Sequence, residues 1–342
     1  MKSLAVRTIP VCNRLFAAKT PYPLVSLIRL GEAAEVPEAV RFGFYTVWLK
    51  GWPAGTPPLF GQEPYDFHEA TLLPLPPGKE AGCEWWRRDG TGLCEGVLLC
   101  IHTSVMESLR ARRDPGACSF FGYRENEALH LSQREKGILE DEMEGIEKEL
   151  GWGIDEFSHT ILCDRILLLL DYVARFYRRQ FITRHEANLN LLGRVDRRLD
   201  DFFESGQARH RELPTAERLA RTEGCSPAYL DDLLRHETGK NTAGYVRMKQ
   251  IGWAEKWLRQ GDRAVNEVAS ELGFPSDAAF CALFKRLRGE TPDRSCCKCS
   301  HPSGAARTLG LGAPASSATE TIASMKISQT ADSETPGFVR RR

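Results

Sequence analysis

No stretch of this 342-residue sequence approaches the roughly 18 consecutive apolar residues that a membrane-spanning helix needs. The first residues lack an apolar segment followed by a small-residue cleavage site, so no secretory leader is expected and the cytoplasm is the expected compartment. A surplus of charge is missing too. The 46 Lys and Arg meet 46 Asp and Glu, which removes bulk attraction to a polyanion as an organising force. Locally the balance shifts little, with 15 basic against 13 acidic residues between Gln207 and Arg294. Cysteine is present, 11 in all, but scattered through Cys12, Cys83, Cys94, Cys100, Cys118, Cys163, Cys225 and Cys281 apart from a cluster near the end. That distribution argues for reduced thiols rather than a disulfide framework. The remaining composition, 42% hydrophobic and 27% charged, is that of an ordinary globular chain, and the length suggests two domains.

What the sequence does contain is a duplication. Ala220, Gly224, Leu230, Leu234, Arg235 and Gly239 recur as Ala269, Gly273, Phe280, Phe284, Lys285 and Gly289, at an offset of 49 residues that slips to 50 inside the turn. Each copy reads as a short helix, a glycine turn, a Ser N-cap and a second helix, the helix-turn-helix pattern that sets a helix into the DNA major groove. In the first copy Thr215 opens the apolar pattern, Gly224 supplies the φ > 0 corner, Ser226 caps the next helix and Pro227 takes its first position. In the second, Val265, Val268, Ala269 and Leu272 form a buried face, Gly273 turns, and Ser276 caps a helix carrying Phe280, Leu283, Phe284 and Leu287 at helical spacing. Between them Tyr245, Met248, Ile251, Trp253, Ala254, Trp257 and Leu258 predict one longer helix wide enough to pack against both units. Such a spacer would hold the two recognition helices about one DNA turn, roughly 34 Å, apart for entry into successive major grooves.

The segments LPTAERLARTEGCSPAYLDDLLRHETGKN, YVRMKQIGWAEKWL and VNEVASELGFPSDAAFCALFKRLRGETP resemble the DNA-binding domain of AraC-type transcriptional regulators, over about residues 188–294. The signature that closes the second unit in that family stands here as Gly273, Phe274, Phe280, Phe284, Lys285, Gly289, Thr291 and Pro292.

Upstream, residues 22–103 alternate short β-rich runs at 24–30, 42–49, 71–75 and 97–102 with Pro and Gly punctuation, which predicts a small antiparallel barrel or jelly roll. The runs YPLVSLIRL, FGFYTVWLK, YDFHEATLLPLPPG and GVLLCIHTSVM resemble the cupin-type sensor domain of a subset of the same family, which implies a cupin-like barrel. Trp85 and Trp86 sit in an irregular stretch that reads as a lid or loop. Ser132 with Glu135 forms a capping box ahead of Ile138, Leu139, Met143, Ile146 and Leu150, and a second run follows through Ile161, Ile166, Leu169, Leu170, Val173, Phe176 and Tyr177. Periodicity alone leaves two uses open for these helices, covering the barrel or pairing two copies, and the resemblance implies pairing.

The positions that would face bases after each N-cap are Ala228, Asp231, Asp232 and Arg235 in the first unit, and Asp277, Ala278, Ala279, Cys281 and Ala282 in the second. Base edges are read by Arg or Lys for guanine, Asn or Gln for adenine, and Asp or Glu for the cytosine amino group, so the second set is poor in readers. Three outcomes stay open: the alanines touch thymine methyls, the first unit carries most of the reading, or DNA is bound weakly. Lys240, Arg247, Lys249, Lys285, Arg286 and Arg288 are candidates for phosphate contact, with backbone donors added at the helix N-termini of Ser226 and Ser276. A small effector, whose chemistry is not written in the sequence, would lie inside the barrel against Phe44, Tyr45, Trp48 and Phe67. His68 and His102 with Glu63, Glu69 and Glu95 allow a metal site by count, but the compact His-x-His pair with a following Glu that cupin enzymes usually show is absent. No metal, cofactor or catalytic residue is therefore nominated.

Beyond Arg294 the chain runs into Cys296, Cys297, Cys299 and His301 and then a stretch rich in Ala, Ser, Gly and Thr, a composition that cannot bury enough apolar surface to fold. The sequence thus predicts an α+β protein in four parts: a cupin-like antiparallel β-barrel sensor at 1–130, a helical connector at 131–187 that pairs copies, an all-α double helix-turn-helix domain at 188–294, and a disordered tail at 295–342. The resemblance implies a sequence-specific transcriptional regulator, activator or repressor, with double-stranded DNA, a small-molecule effector and a second copy as partners, and leaves RNA polymerase open as a further one. Two alternatives remain: a dimerising variant with weakened DNA readout that acts through protein contacts and, behind it, a metal-dependent cupin enzyme.

Overall fold

A computed structural model describes residues 4–30, 39–51, 60–82, 87–88, 92–93, 96–112 and 116–295. The tail with Cys296, Cys297, Cys299 and His301, the pair Trp85 and Trp86, and Glu95 lie outside the described residues. In chain order the N-terminal half contains β1 (Leu4–Val6), α1 (Ile9–Leu15), β2 (Val25–Leu30), β3 (Ala39–Phe42), β4 (Tyr45–Gly51), β5 (Ala70–Leu75), β6 (Glu80–Gly82), β7 (Arg87–Arg88), β8 (Gly92–Leu93), β9 (Gly96–Ile101), α2 (Thr103–Arg110) and β10 (Leu129–Leu131). Helices follow: α3 (Gln133–Trp152), α4 (Ser158–Thr183), α5 (His185–Glu204), α6 (Ala216–Glu223), α7 (Pro227–Thr238), α8 (Thr242–Gln260), α9 (Val265–Glu271) and α10 (Asp277–Arg288).

Period-two alternation along β4 builds the first layer. Val47 and Leu49 point to one face, Thr46, Trp48 and Lys50 to the other, and all five are buried, so both faces of this strand are covered. β4 lies at the centre of a five-stranded sheet ordered β10-β5-β4-β9-β2, all antiparallel, with Trp48 opposite both Leu73 and Leu98. A smaller sheet, β1-β3-β6, packs on the Trp48 face together with α1, enclosing Val6, Ile9, Phe42, Phe44, Leu73 and Cys100. The expected barrel is not closed among the described residues, since the two sheets share no hydrogen-bonded strand pair. The physical reason is visible on the opposite face: Val47, Leu49, Leu72, Leu99 and Ile101 are covered by helices, so the sheet is shielded on both sides without curling on itself.

The capping box at Ser132 forms as the residue pattern predicts, Glu135 N–H donating to Ser132 Oγ at 3.3 Å and Ser132 N–H to Glu135 Oε2 at 3.0 Å. Leu139, Met143, Ile146 and Leu150 of α3, and Leu162, Ile166, Leu169, Leu170 and Val173 of α4, are buried in the core they share with the sheet. The apolar stripes of the connector are consumed in covering the sheet, which leaves Trp152, Ile154, Phe157 and Ile161 as its exposed apolar side chains near the α3–α4 turn. Between α4 and α5 the chain turns at Arg184, whose buried guanidinium pairs with the buried Asp66 carboxylate and donates to the Gly61 carbonyl at 3.1 Å.

One apolar core runs from the outer face of the sheet through α3, α4 and α5 into both helix-turn-helix units. Its middle is aromatic, with ring-centroid separations of 5.0 Å for Tyr45 and Phe121, 5.6 Å for Phe120 and Tyr177, 5.0 Å for Tyr123 and Tyr177, 5.3 Å for Tyr123 and Tyr229, and 5.2 Å for Phe181 and Tyr229. α8 packs against α5, α7, α9 and α10, as the breadth of its apolar stripe predicts. Gln250 fixes it to the second unit by donating to the Leu272 carbonyl at 2.6 Å, and Trp253 fixes it to α5 through Asp200 at 2.9 Å. Phe280 and Phe284 are fully buried beneath α10, each contributing about 1.5–3 kcal/mol through apolar burial. Gly273 cannot be replaced without strain: its φ is +75° and an added Cβ would stand 2.1 Å from the Ala208 carbonyl oxygen.

Replacing Asp66 by Asn leaves the Arg184 charge buried without its counter-ion. The expected cost is about 3–5 kcal/mol, read as a lower urea midpoint; an unchanged midpoint would show that the pair does not anchor the α4–α5 corner.

Candidate nucleic-acid interface

Local chemistry builds both units. Thr215 Oγ1 accepts from Arg218 N–H at 3.3 Å to start α6, and Gly224 ends it in the left-handed region. Ser226 Oγ accepts from Tyr229 N–H at 3.1 Å with Pro227 behind it, and Gly239 ends α7. Asn241 caps α8 through Gly244 N–H at 2.9 Å. In the second unit Ser276 Oγ accepts from Ala279 N–H at 3.2 Å and Gly289 closes α10. The caps at Thr215, Ser226 and Ser276 and the turn at Gly224 stand where the sequence pattern places them, and the Asn241 cap adds to them.

The environments of α7 and α10, the two helices expected to read bases, differ. On α10, Ser276, Asp277, Ala278 and Ala282 are exposed and Ala279 and Cys281 half-buried. Burial pushes the Cys281 thiol up, with Asp293 and Asp277 adding to it, so that it stays protonated. This surface is open but supplies few hydrogen-bond donors.

α7 is engaged by the N-terminal half of its own chain. Segment 119–127, two short 3-10 turns just before β10, lies along it. Asp232 accepts from the Tyr123 hydroxyl at 2.8 Å and from Ser119. Ala228 lies against Gly122, where an added Cβ would stand 3.0 Å from the Ala228 Cβ. The Glu127 carboxylate accepts from Ser226 N–H at 2.6 Å, from Ser226 Oγ at 2.5 Å and from Arg124 N–H at 2.7 Å. Ser226 is therefore buried, and its N–H and hydroxyl are not open to a phosphate while Glu127 holds them. The cause is that a carboxylate already satisfies the helix N-terminus.

The two adjacent aspartates are tuned in opposite directions. Burial raises the Asp232 pKa by more than the hydrogen bonds from Ser119 and Tyr123 lower it. Burial acts upward on Asp231 as well, but the Thr242 N–H bond and the Arg235 guanidinium hold it below the usual carboxylate value. Asp231 is thus a structural residue, accepting from Thr242 N–H at 2.7 Å and pairing with Arg235 at 3.0 Å, while Arg235 itself remains exposed. Burial beside Asp232 keeps the Tyr123 hydroxyl protonated.

Among the phosphate candidates, Lys285 and Arg286 are exposed on the last turn of α10. Lys240 is half-buried, and Arg247 is exposed and donates to Gln250 at 2.9 Å. Arg288 pairs with Glu255 of α8 at 2.7 Å. Lys249 is turned inward: it bridges Asp196 at 3.4 Å and Asp200 at 3.2 Å on α5, so it ties two helices rather than facing a duplex.

The four residues expected to line an effector pocket do not share a cavity. Phe44 and Trp48 are buried between the sheets, and Phe67 is exposed beneath the Arg179 guanidinium, 4.7 Å from its ring centre. Tyr45 lies on the opposite face of the sheet, where with Pro76, Arg110, Cys118, Ser119, Phe121 and Gly122 it lines a cavity of about 540 Å³. His102 is the N-cap of α2, its Nδ1 accepting from Ser104 N–H at 3.2 Å, and His68 bonds to Gln62. Among the described residues no three His, Cys, Asp or Glu side chains converge on a metal position. Ser119, Gly122, Tyr123 and Glu127 were not legible as interface residues in the sequence, because their partners lie about a hundred residues away and leave no local pattern.

A family profile described as a helix-turn-helix domain matches residues 219–295. The regulatory protein SoxS of Escherichia coli (strain K12) is 30% identical over 74 residues, which cover 22% of this chain and 69% of SoxS. The HTH-type transcriptional regulator GlxA of Rhizobium meliloti (strain 1021) is 36% identical over 74 residues, 22% of this chain and 23% of GlxA. The chain spans still less, 10%, of the uncharacterized HTH-type transcriptional regulator YtdP of Bacillus subtilis (strain 168), with 32% identity over 78 residues, 23% of this chain. A solved AraC-type DNA-binding protein from Chromobacterium violaceum shares 19% identity over 26% of this chain and 80% of its own, at a TM-score of 0.25.

The two caps differ in a measurable way. Ser276→Ala removes one exposed cap bond and is expected to cost about 0.5–1 kcal/mol, whereas Ser226→Ala also strips a donor from buried Glu127 and is expected to cost about 1–3 kcal/mol. Equal losses in denaturant unfolding would show that the Glu127 contact does not stabilise the fold.

Proposed function

Because the chain belongs to the AraC family of helix-turn-helix DNA-binding transcriptional regulators, we propose that it reads two adjacent major-groove segments of one duplex with α7 and α10 and responds to a small-molecule effector. The observation that carries this reading is the paired cap-and-turn chemistry, Ser226 with Gly239 and Ser276 with Gly289, joined by a helix packed on both units. In this assignment Arg235 and Asp232 read bases from the first unit, and Asp277, Ala278 and Ala282 touch the second groove. Lys240, Arg247, Lys285 and Arg286 hold phosphates, and they set position rather than sequence preference.

Effector binding is assigned to the cavity behind Ser119 and Gly122 instead of the space between the sheets, which is filled by Phe44 and Trp48. Its volume and mostly apolar lining suit a small ligand, and Arg110, held 5.2 Å over the Tyr45 ring, adds one cation at its edge. A second copy would pair through exposed apolar side chains such as Trp152, Ile154, Phe157 and Ile161, because the inward stripes of α3 and α4 are already used.

A second reading has a specific observation in its favour. Three of the five residues expected to face bases from α10, Ala278, Ala279 and Ala282, are alanine, so a variant with relaxed base readout that acts through protein contacts fits that surface.

Selection of bound duplexes from a random pool separates the two. Sequence-specific reading predicts an enriched motif and a footprint of about two helical turns per monomer. Arg235→Ala is expected to weaken binding by about 1–3 kcal/mol and relax preference at one base position. Recovery of unselected sequence would favour the second reading, and unchanged affinity and preference in Arg235→Ala would remove that residue from the readout.

A further inference from the structure

A helix N-terminus attracts anions because its first N–H groups are unpaired and its dipole places about half a positive charge there. When a recognition helix enters a groove, a backbone phosphate is the natural occupant of that position. At the N-terminus of α7 the occupant is Glu127, with one carboxylate oxygen on Ser226 N–H at 2.6 Å and the other on Ser226 Oγ at 2.5 Å. Glu127 is 4% exposed and is oriented by Arg124 N–H, so the contact is built into the fold rather than made by a surface side chain in passing.

The neighbouring reading positions are filled by the same segment. Gly122 lies on Ala228, and Tyr123 and Ser119 donate to Asp232. Tyr123 also packs edge-on against Tyr229 at 5.3 Å, which joins the contact to the aromatic core. A carboxylate thus stands where a phosphate would, hydrogen-bond donors face Asp232 where a cytosine amino group would, and a glycine backbone covers the alanine that would approach a base edge. A duplex and segment 119–127 cannot occupy this face of α7 together. The corresponding cap in the second unit, Ser276, is exposed.

We infer that segment 119–127 is an internal imitation of DNA that masks the first recognition helix, so that the segment and the duplex compete for α7. This rests on the assignment of α7 as a reading helix. It makes the chain asymmetric in its resting form, with one probe covered and the other free, and it makes release of the segment the step that adds the second groove contact. The segment's other side walls the Tyr45–Arg110 cavity, so the mask and the assigned effector site share Ser119, Phe121 and Gly122.

The test alters only the masking side. Gly122→Leu wedges the contact with Ala228, and Glu127→Gln withdraws the charge, while the sequence of α7 is untouched. Against a random-sequence duplex pool three helical turns long, each variant of the full chain is expected to bind about tenfold tighter than the wild type, within the usual range of coupling between linked sites. Hydrogen exchange on the wild-type chain gives a readout that does not depend on the variants folding: saturating duplex is expected to lower protection across 119–127. Equal affinity of folded variants and wild type, or unchanged protection of 119–127 in the DNA complex, overturns the mask while leaving the reading helices in place. If no form binds any duplex, the assignment of α7 falls first and the mask with it.

Discussion

The contact between the Glu127 carboxylate and the capped N-terminus of α7 is the constraint on which the arrangement of this molecule turns. It joins residues 99 positions apart in the chain, and it joins the strand-rich half to the first helix-turn-helix unit. It is sustained because everything around it is already packed. Phe120 and Tyr123 are held against Tyr177 of α4, Tyr229 of α7 rests on Phe181, and the Arg184–Asp66 pair fixes the corner from which α5 departs. The two halves therefore meet through a continuous core rather than through a linker, and the state of the sheet side bears directly on α7, the helix proposed to read DNA.

Electrostatics reinforce this asymmetry. Asp231 and Asp232 would repel a phosphate backbone if both stood free, but here one accepts from Thr242 N–H and pairs with Arg235, and the other is drawn into hydrogen bonds with Tyr123 and Ser119. The price of an acidic reading surface is thus offset inside the folded chain. The second unit carries a single exposed acid there, Asp277, beside neutral Ala278 and Ala282, with Lys285, Arg286 and Arg288 gathered at the far end of α10. A chain with no net charge can bind a polyanion in this way, by placing a few cations at helix ends rather than by carrying a basic field.

What was legible in the sequence was local. The caps at Thr215, Ser226 and Ser276 and the turns at Gly224, Gly239, Gly273 and Gly289 follow from backbone requirements within four residues, and each appears where the pattern places it. The breadth of the α8 stripe foretold a helix packed on both units, because 3.6-residue periodicity records which faces are covered. Periodicity does not record by what. The stripes of α3 and α4 could equally have paired two copies, and they cover the sheet. The alternation in β4 could not distinguish a closed barrel from two stacked sheets, since both bury Trp48 and Phe44. Lys249 looked like a phosphate ligand until α5 placed Asp196 and Asp200 beside it. Segment 119–127 carries no periodic signal at all, so its seat on α7 could come only from the folded chain.

The most direct measurement is photocross-linking from the segment itself. A benzophenone amino acid placed at Ser119 of the full chain reports whether α7 is within reach, with and without duplex. A masked α7 gives a cross-link into residues 226–235 that fades as DNA saturates the protein. A cross-link of undiminished yield in the fully DNA-bound chain, or its absence from the free chain, would contradict it.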